Sequence, residues 1–187
     1  MQLTEPMTRF YPTLKLTALL CMAGVLVACA GPARIEQMAV QHSLPQPVSA
    51  EMRGVIGQVE VTGGMETNPM WTSKVSSDAF QRALEESLKA AGFFNARFSN
   101  SRYELIADLL SLDQPAFGLD LTVSSNVRYS LIDKKTRNVA FTKVIYSTHT
   151  TKFSEAFAAT QRMQFANEGS IKVNISQLIQ ELGQFKP

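Results

Sequence analysis

Cysteine and histidine are scarce in this sequence, and their scarcity excludes several chemistries at once. Its 187 residues hold two cysteines, Cys21 and Cys29, and two histidines, His42 and His149. No disulfide framework and no zinc site of cysteine and histidine ligands can be assembled from so few. Glycine-rich phosphate loops, the Gly-x-Ser-x-Gly nucleophile elbow and His-Glu-x-x-His are all missing. The formal charge is only +2, with no cluster of Lys and Arg such as nucleic acid or anionic head groups would need. Internal repeats are absent too. The sequence therefore assigns no catalytic residue, no metal ligand and no cofactor.

Long apolar runs are also lacking, with one short exception. Residues 16–27 are apolar except for Thr17 and Gly24, and Arg9 and Lys15 precede them. Twelve residues make about 18 Å of helix, well short of the roughly 30 Å hydrocarbon core. A basic start, a short apolar run and small residues at its end are the layout of an export signal. The run closes on Leu26-Val27-Ala28-Cys29, the pattern of a lipobox, where cleavage after Ala28 leaves Cys29 as an acylated N-terminus. Cys21 fits worse, because the bulky Leu20 precedes it. Residues 1–28 are thus expected to be a lipoprotein signal peptide. Removing Glu5, Arg9 and Lys15 with it lowers the formal charge from +2 to +1. Ala30 follows the cysteine where an aspartate would signal inner-membrane retention, so the expected destination is the outer membrane. Multiple acyl chains, at about 0.8 kcal/mol per buried methylene, would hold the chain there without help from the fold.

Residues 29–53 read as the lipidated cysteine and a flexible tether. Pro32, Pro45 and Pro47 interrupt the stretch, and no apolar period lasts two turns beyond a short helical possibility over 34–41. Fully extended, 24 such residues would reach about 80 Å. His42 lies here and is expected to be solvated.

Residues 54–187 carry the periodicities of one α+β domain. Val55, Val59 and Val61 share a parity as in a half-buried strand, which Gly63-Gly64 ends. Phe80, Leu84, Leu88 and Ala91 fall on one helical face; Ser76, Ser77 or Asp78 can cap that helix and Gly92 stops it. A strand over 103–112, apolar on nearly both faces, belongs inside a sheet. Leu119, Leu121, Val123, Val127, Tyr129 and Leu131 then alternate with polar residues, which predicts a long strand with Leu121, Val123 and Val127 facing the helices. Its hairpin partner runs from 139 to about 152. There the inward set is expected to shift from Val139 and Phe141 to Val144 and Tyr146 across a bulge near Thr142 and Lys143. Ile171, Ile175, Leu178 and Leu182 mark a final helix, extended upstream by Met163, Phe165 and Ala166, with Gly169 a point of bending or close packing. The predicted order is β-α-β-β-β-α: a two-layer sandwich with both helices on one face of a four-stranded sheet.

Chemistry-bearing candidates each have a plainer explanation. His149 sits among threonines on a predicted edge strand. Asp108 and Asp113 flank a strand end, where Asp113 starts a turn. Glu168 has Lys172 four residues on, the spacing of an ordinary surface pair. The most unusual stretch is 63–72, which sets Met65, Met70 and the only tryptophan, Trp71, around Asn68-Pro69. Loops carry function more often than core elements, and Met and Trp are typical interface contacts. Met65, Met70 and Trp71 are therefore candidate partner-binding residues, with Trp71 covering the end of the first helix as the alternative.

With lipobox, tether and this element order in place, the chain resembles small outer-membrane lipoproteins of the LptE/YajG type. The likeness is architectural, so no functional residue follows from it. The stretches Val61-Thr62-Gly63-Gly64, Trp71-Thr72-Ser73-Lys74-Val75, Leu112-Asp113-Gln114-Pro115 and Asn167-Glu168-Gly169 also look like a family of uncharacterised proteobacterial lipoproteins. Some members of it bear a UDP-N-acetylglucosamine acyltransferase label. Such enzymes resemble hexapeptide-repeat β-helices with a basic histidine, and no hexapeptide period occurs here. The resulting expectation is a non-enzymatic lipoprotein, lipid-anchored in the outer membrane and facing the periplasm. It would serve as an accessory, assembly or transport-auxiliary factor of a cell-envelope complex, with an envelope protein as partner. The alternative is a carrier that shelters an apolar or lipid ligand between sheet and helices.

Overall fold

A computed structural model describes residues 30–41, 48–68, 72–95 and 101–187. The signal peptide, Cys29, His42, Met70 and Trp71 lie outside the described residues. In chain order the elements are a single turn α1 (Ile35–Met38), β1 (Ile56–Thr62), α2 (Ser77–Ala90), β2 (Tyr103–Asp113), β3 (Leu121–Asp133), β4 (Val139–Thr151), a short 3-10 turn (Phe153–Glu155) and α3 (Ala159–Gln184). The strands form one sheet in the order β1-β2-β3-β4, with β1 parallel to β2 and the other pairs antiparallel. Both long helices cover the same face, α2 over β1 and α3 over β3 and β4, while α1 bridges α2 and α3. The predicted two-layer α+β sandwich is the observed fold.

Local chemistry accounts for the secure elements. Ser76, rather than Asp78, caps α2, its hydroxyl accepting the Ala79 N–H at 3.2 Å. At the other end Gly92 takes φ +83°, which an L side chain resists. Its N–H reaches the Lys89 carbonyl at 3.0 Å and Phe93 N–H the Leu88 carbonyl at 2.9 Å, satisfying two otherwise orphaned groups. Phe80, Leu84, Leu88 and Ala91 are buried as their spacing requires. The alternation of β3 turns Leu121, Val123, Val127, Tyr129 and Leu131 into the core. Leu119 stays outside it, because the strand begins two residues later. At the far end Asp133 closes the hairpin, accepting from the Lys135 and Thr136 N–H groups and from Arg102 Nε. Those donors, Thr136 first, hold its carboxyl below the usual carboxylate range.

Three expectations need correction. In β4 the inward face is carried by Phe141, Ile145, Ser147 and Thr151, whereas Val144 and Tyr146 are exposed on the opposite face. A register shift is present, but it falls at Ala140, where Leu131 and Ile132 pair with Phe141 and Val139. Beyond it the parity never changes again. In β2 the second face is not covered: Ile106 is half-buried and Leu110 exposed, because none of the described residues forms a layer against that side of the sheet. The third correction concerns the tether. Ala30, Ala33, Met38, Ala39 and Met52 are buried, so the described parts of 30–53 are packed onto the domain. Among the described residues no helix is long and apolar enough to cross a membrane.

Candidate functional site

Three of the four stretches singled out in the sequence meet around α3. The carbonyl of Ser73 accepts hydrogen bonds from Gln114 Nε2 at 2.8 Å and Asn167 Nδ2 at 3.0 Å. Gln114 Nε2 also donates to Asn167 Oδ1 at 2.7 Å, and Lys74 Nζ donates to Gln114 Oε1 at 2.7 Å. Ser73 and Asn167 are fully buried. Two side-chain amides thereby fasten the connection before α2 and the turn after β2 to the middle of α3. Buried amides left without partners are costly, so this knot fixes all three segments together.

One residue beyond Asn167 stands Glu168, 3% exposed. It does not pair with Lys172. Its Oε1 accepts from Arg34 N at 2.8 Å and Arg34 Nε at 3.0 Å, and its Oε2 from Arg34 Nη2 at 2.9 Å. Gln164 supports the same join, donating to the Pro32 carbonyl at 2.7 Å and to Glu168 Oε1 at 3.2 Å. The hydrogen bonds it donates to Glu168 hold the Arg34 guanidinium above its ordinary pKa, against a smaller opposing effect of burial. Phe165 completes the seat, its ring centroid 5.1 Å from the Arg34 guanidinium carbon. A two-pronged arginine–carboxylate pair of this kind is directional as well as strong. It latches the segment that follows Cys29 to the last helix.

Gly169 explains why His149 lies where it does. A side chain at position 169 would collide with the imidazole, so the bare backbone of α3 lets β4 approach closely. Close packing, not bending, is the role of this glycine, since α3 runs unbroken through it. Arg34, Gln37, His149, Glu155, Phe165 and Lys172 ring an open cleft of about 310 Å³ above this contact. Both signs of charge line it, which suits a hydrophilic surface contact better than an apolar ligand. Glu168 is engaged by Arg34 and offers no free carboxylate there.

Of the loop candidates, Met65 is 61% exposed beside a small cavity of about 100 Å³ between Lys74 and the end of β2. Its N–H is held by the Val75 carbonyl at 2.8 Å, so the connection folds back on itself. Asp108 accepts from Thr62 Oγ1 at 2.7 Å on the open face of the sheet and is not paired with Asp113. No group of three or more potential metal ligands occurs among the described residues. Arg34 had no periodic signal in the sequence, and Gln114 and Asn167 were visible only inside the quoted stretches.

Replacing Glu168 with alanine is expected to free the segment around Arg34 while the sheet stays folded. Loss of charge-assisted hydrogen bonds is worth about 2 kcal/mol here, since Arg34 itself reaches solvent. Tryptic cleavage after Arg34 under native conditions should then accelerate roughly thirtyfold. An unchanged cleavage rate would show that something else holds the segment.

No family model matches the chain, and none of the curated proteins does. Solved structures do. A candidate lipoprotein from Caulobacter crescentus CB15 superposes with a TM-score of 0.51 at 13% identity, covering 72% of this chain and 94% of that one. A DUF330-family protein from Xanthomonas campestris gives 0.50 at 12% identity, covering 76% of this chain and 96% of that one. At these identities the likeness is one of fold.

Proposed function

We propose that the chain is a lipoprotein, acylated on Cys29 and held at the outer membrane facing the periplasm. There it acts as a non-enzymatic accessory, assembly or transport-auxiliary factor of a cell-envelope complex. The single observation that favours this over carriage of an apolar ligand is the filled interior. Leu105, Tyr129, Leu131, Ile171, Ile175 and Leu178, all at 0%, occupy the layer between sheet and helices where a ligand would have to lie. A surface role fits what remains. Met65 is exposed, the cleft around Arg34 and His149 is open, and His149 and Glu168 are engaged in packing and pairing rather than poised around a substrate. The lipobox supports the anchor, and the fold of the Caulobacter protein is compatible with it. The order of elements behind a lipidated cysteine supports grouping the chain with the LptE/YajG type. An acyltransferase activity has no support from the cleft's residues.

The anchor is tested by Cys29→Ser. This exchange removes the acyl chains and should release the protein from membranes into the soluble fraction. Fractionation and mass spectrometry of the N-terminal peptide read the result. A variant that still sediments with outer membrane at high salt would overturn lipid anchoring. The accessory role is tested by a photo-crosslinking side chain at Met65 in intact cells: a discrete adduct to an envelope protein is expected, and its absence removes this loop from the binding surface.

A further inference from the structure

Two phenylalanines are almost wholly exposed, Phe117 at 90% and Phe157 at 89%, with Leu119 at 72%. Scattered apolar residues on a surface are ordinary, but these three converge. Phe117 stands in the β2–β3 connection and lines a cavity of about 140 Å³ with Ala159, Thr160 and Met163 from the first turns of α3. Phe157 stands in the β4–α3 connection, edge to face with Phe153 at 6.0 Å between ring centroids. Arg162, itself buried, fixes that connection by donating to the Ala156 and Phe157 carbonyls, both at 2.7 Å, and lies 4.9 Å over the Phe153 ring. Phe157 therefore stands on held backbone, and Phe117 meets the first turns of α3 at the same end of the domain.

The chain enters the domain at that same end. Gly31 lies against Gln164, and Gln164 donates to the Pro32 carbonyl, one residue along α3 from Met163. Only Ala30 separates Cys29 from Gly31 in the sequence, and two residues of chain span about 7 Å at most. We infer that Phe117, Leu119 and Phe157 dip into the phospholipid surface to which Cys29 is fixed, so that the domain stands on the membrane by three contacts as well as its lipid. This inference rests on the proposed acylation of Cys29. Two carboxylates lie nearby, and each is occupied by backbone: Asp120 accepts the Phe153 N–H at 2.9 Å and Glu155 the Lys152 N–H at 2.7 Å. Aromatic rings favour this interfacial depth.

The test uses the full acylated chain in phosphatidylethanolamine–phosphatidylglycerol vesicles. With Cys21 cleaved off and Cys29 blocked, Phe117→Cys and Phe157→Cys each supply one thiol for an environment-sensitive nitrobenzoxadiazole label. Thr136→Cys, in the β3–β4 turn about 40 Å along the strands, is the control. Labels at 117 and 157 should shift to the blue and lose emission to spin-labelled phospholipid, while the label at 136 keeps its aqueous spectrum. Mass spectrometry of the Cys29 peptide is read alongside. Unacylated Cys29 overturns this inference together with the anchor. Acylated Cys29 with aqueous labels at 117 and 157 overturns the membrane contact alone. A blue shift that spin-labelled lipid does not quench means that protein covers these rings, and also overturns it.

Discussion

Val127→Asp is expected to abolish the cooperative thermal transition. Val127 is fully buried beneath α3, with Leu109 and Ile145 as its cross-strand neighbours. A carboxylate there would have no partner, and burying one costs several kcal/mol or forces the strand out of the sheet. Domains of this size are stable by only about 5–15 kcal/mol in total. Position 123 is a weaker probe although Val123 is equally buried, because His149 stands directly opposite it on β4 and could meet the new charge. Circular dichroism melts of the two variants separate these cases. Val127→Asp should give no transition, and Val123→Asp a lowered one. A Val127→Asp melt that matches the parent would mean that this strand face is in solvent.

Asn174→Ala should produce the second largest loss, about 2–4 kcal/mol in denaturant unfolding. Asn174 lies at the centre of a buried polar cluster between α3, β3 and β4. Its Nδ2 donates to the Ile145 carbonyl at 2.9 Å and to Ser147 Oγ at 3.1 Å, and its Oδ1 accepts the Tyr129 hydroxyl at 2.8 Å. Ser125 and Ser147 face each other at 2.8 Å, and Ser170 Oγ donates to Ser125 Oγ at 2.9 Å. Truncation leaves the Tyr129 phenol buried without its acceptor; that phenol is already pushed well above its ordinary pKa by burial. Removing the phenol as well, in Asn174→Ala/Tyr129→Phe, should recover part of the loss. Purely additive losses would show that Tyr129 and Asn174 are not coupled.

The fold was largely legible because its signals are local. The alternation of β3 and the one-sided stripe of α2 each report burial within a few residues of chain. Single-residue irregularities were harder. The shift at Ala140 settled the face of all of β4, and Val144 and Tyr146 look inward-facing only to a reader who places it later. The polar residues inside the sheet, Ser125 and Ser147, carry no apolar signal in the sequence, yet they are partners of Asn174. Segment 30–41 was misjudged for a different reason. A single helical turn, Ile35-Glu36-Gln37-Met38, is too short to carry a period, and the segment's main attachment, Arg34 to Glu168, joins positions 134 residues apart. For the same reason Glu168 appeared to belong with Lys172. Sequence spacing describes neighbours on a helix, not what another segment brings to it.

The Arg34–Glu168 latch also sets how far the domain can search. A free leash of 24 residues would let it sample a volume reaching about 80 Å from its anchor. With the latch closed, the folded body, of radius of gyration about 15 Å, starts within two residues of Cys29. On the lipidated reading it is confined to a layer one domain deep. Its effective concentration toward anything embedded in or lying on the same membrane rises accordingly, and a binding surface of low intrinsic affinity becomes sufficient. A partner held farther from that membrane would have to extend its own arm to reach this one.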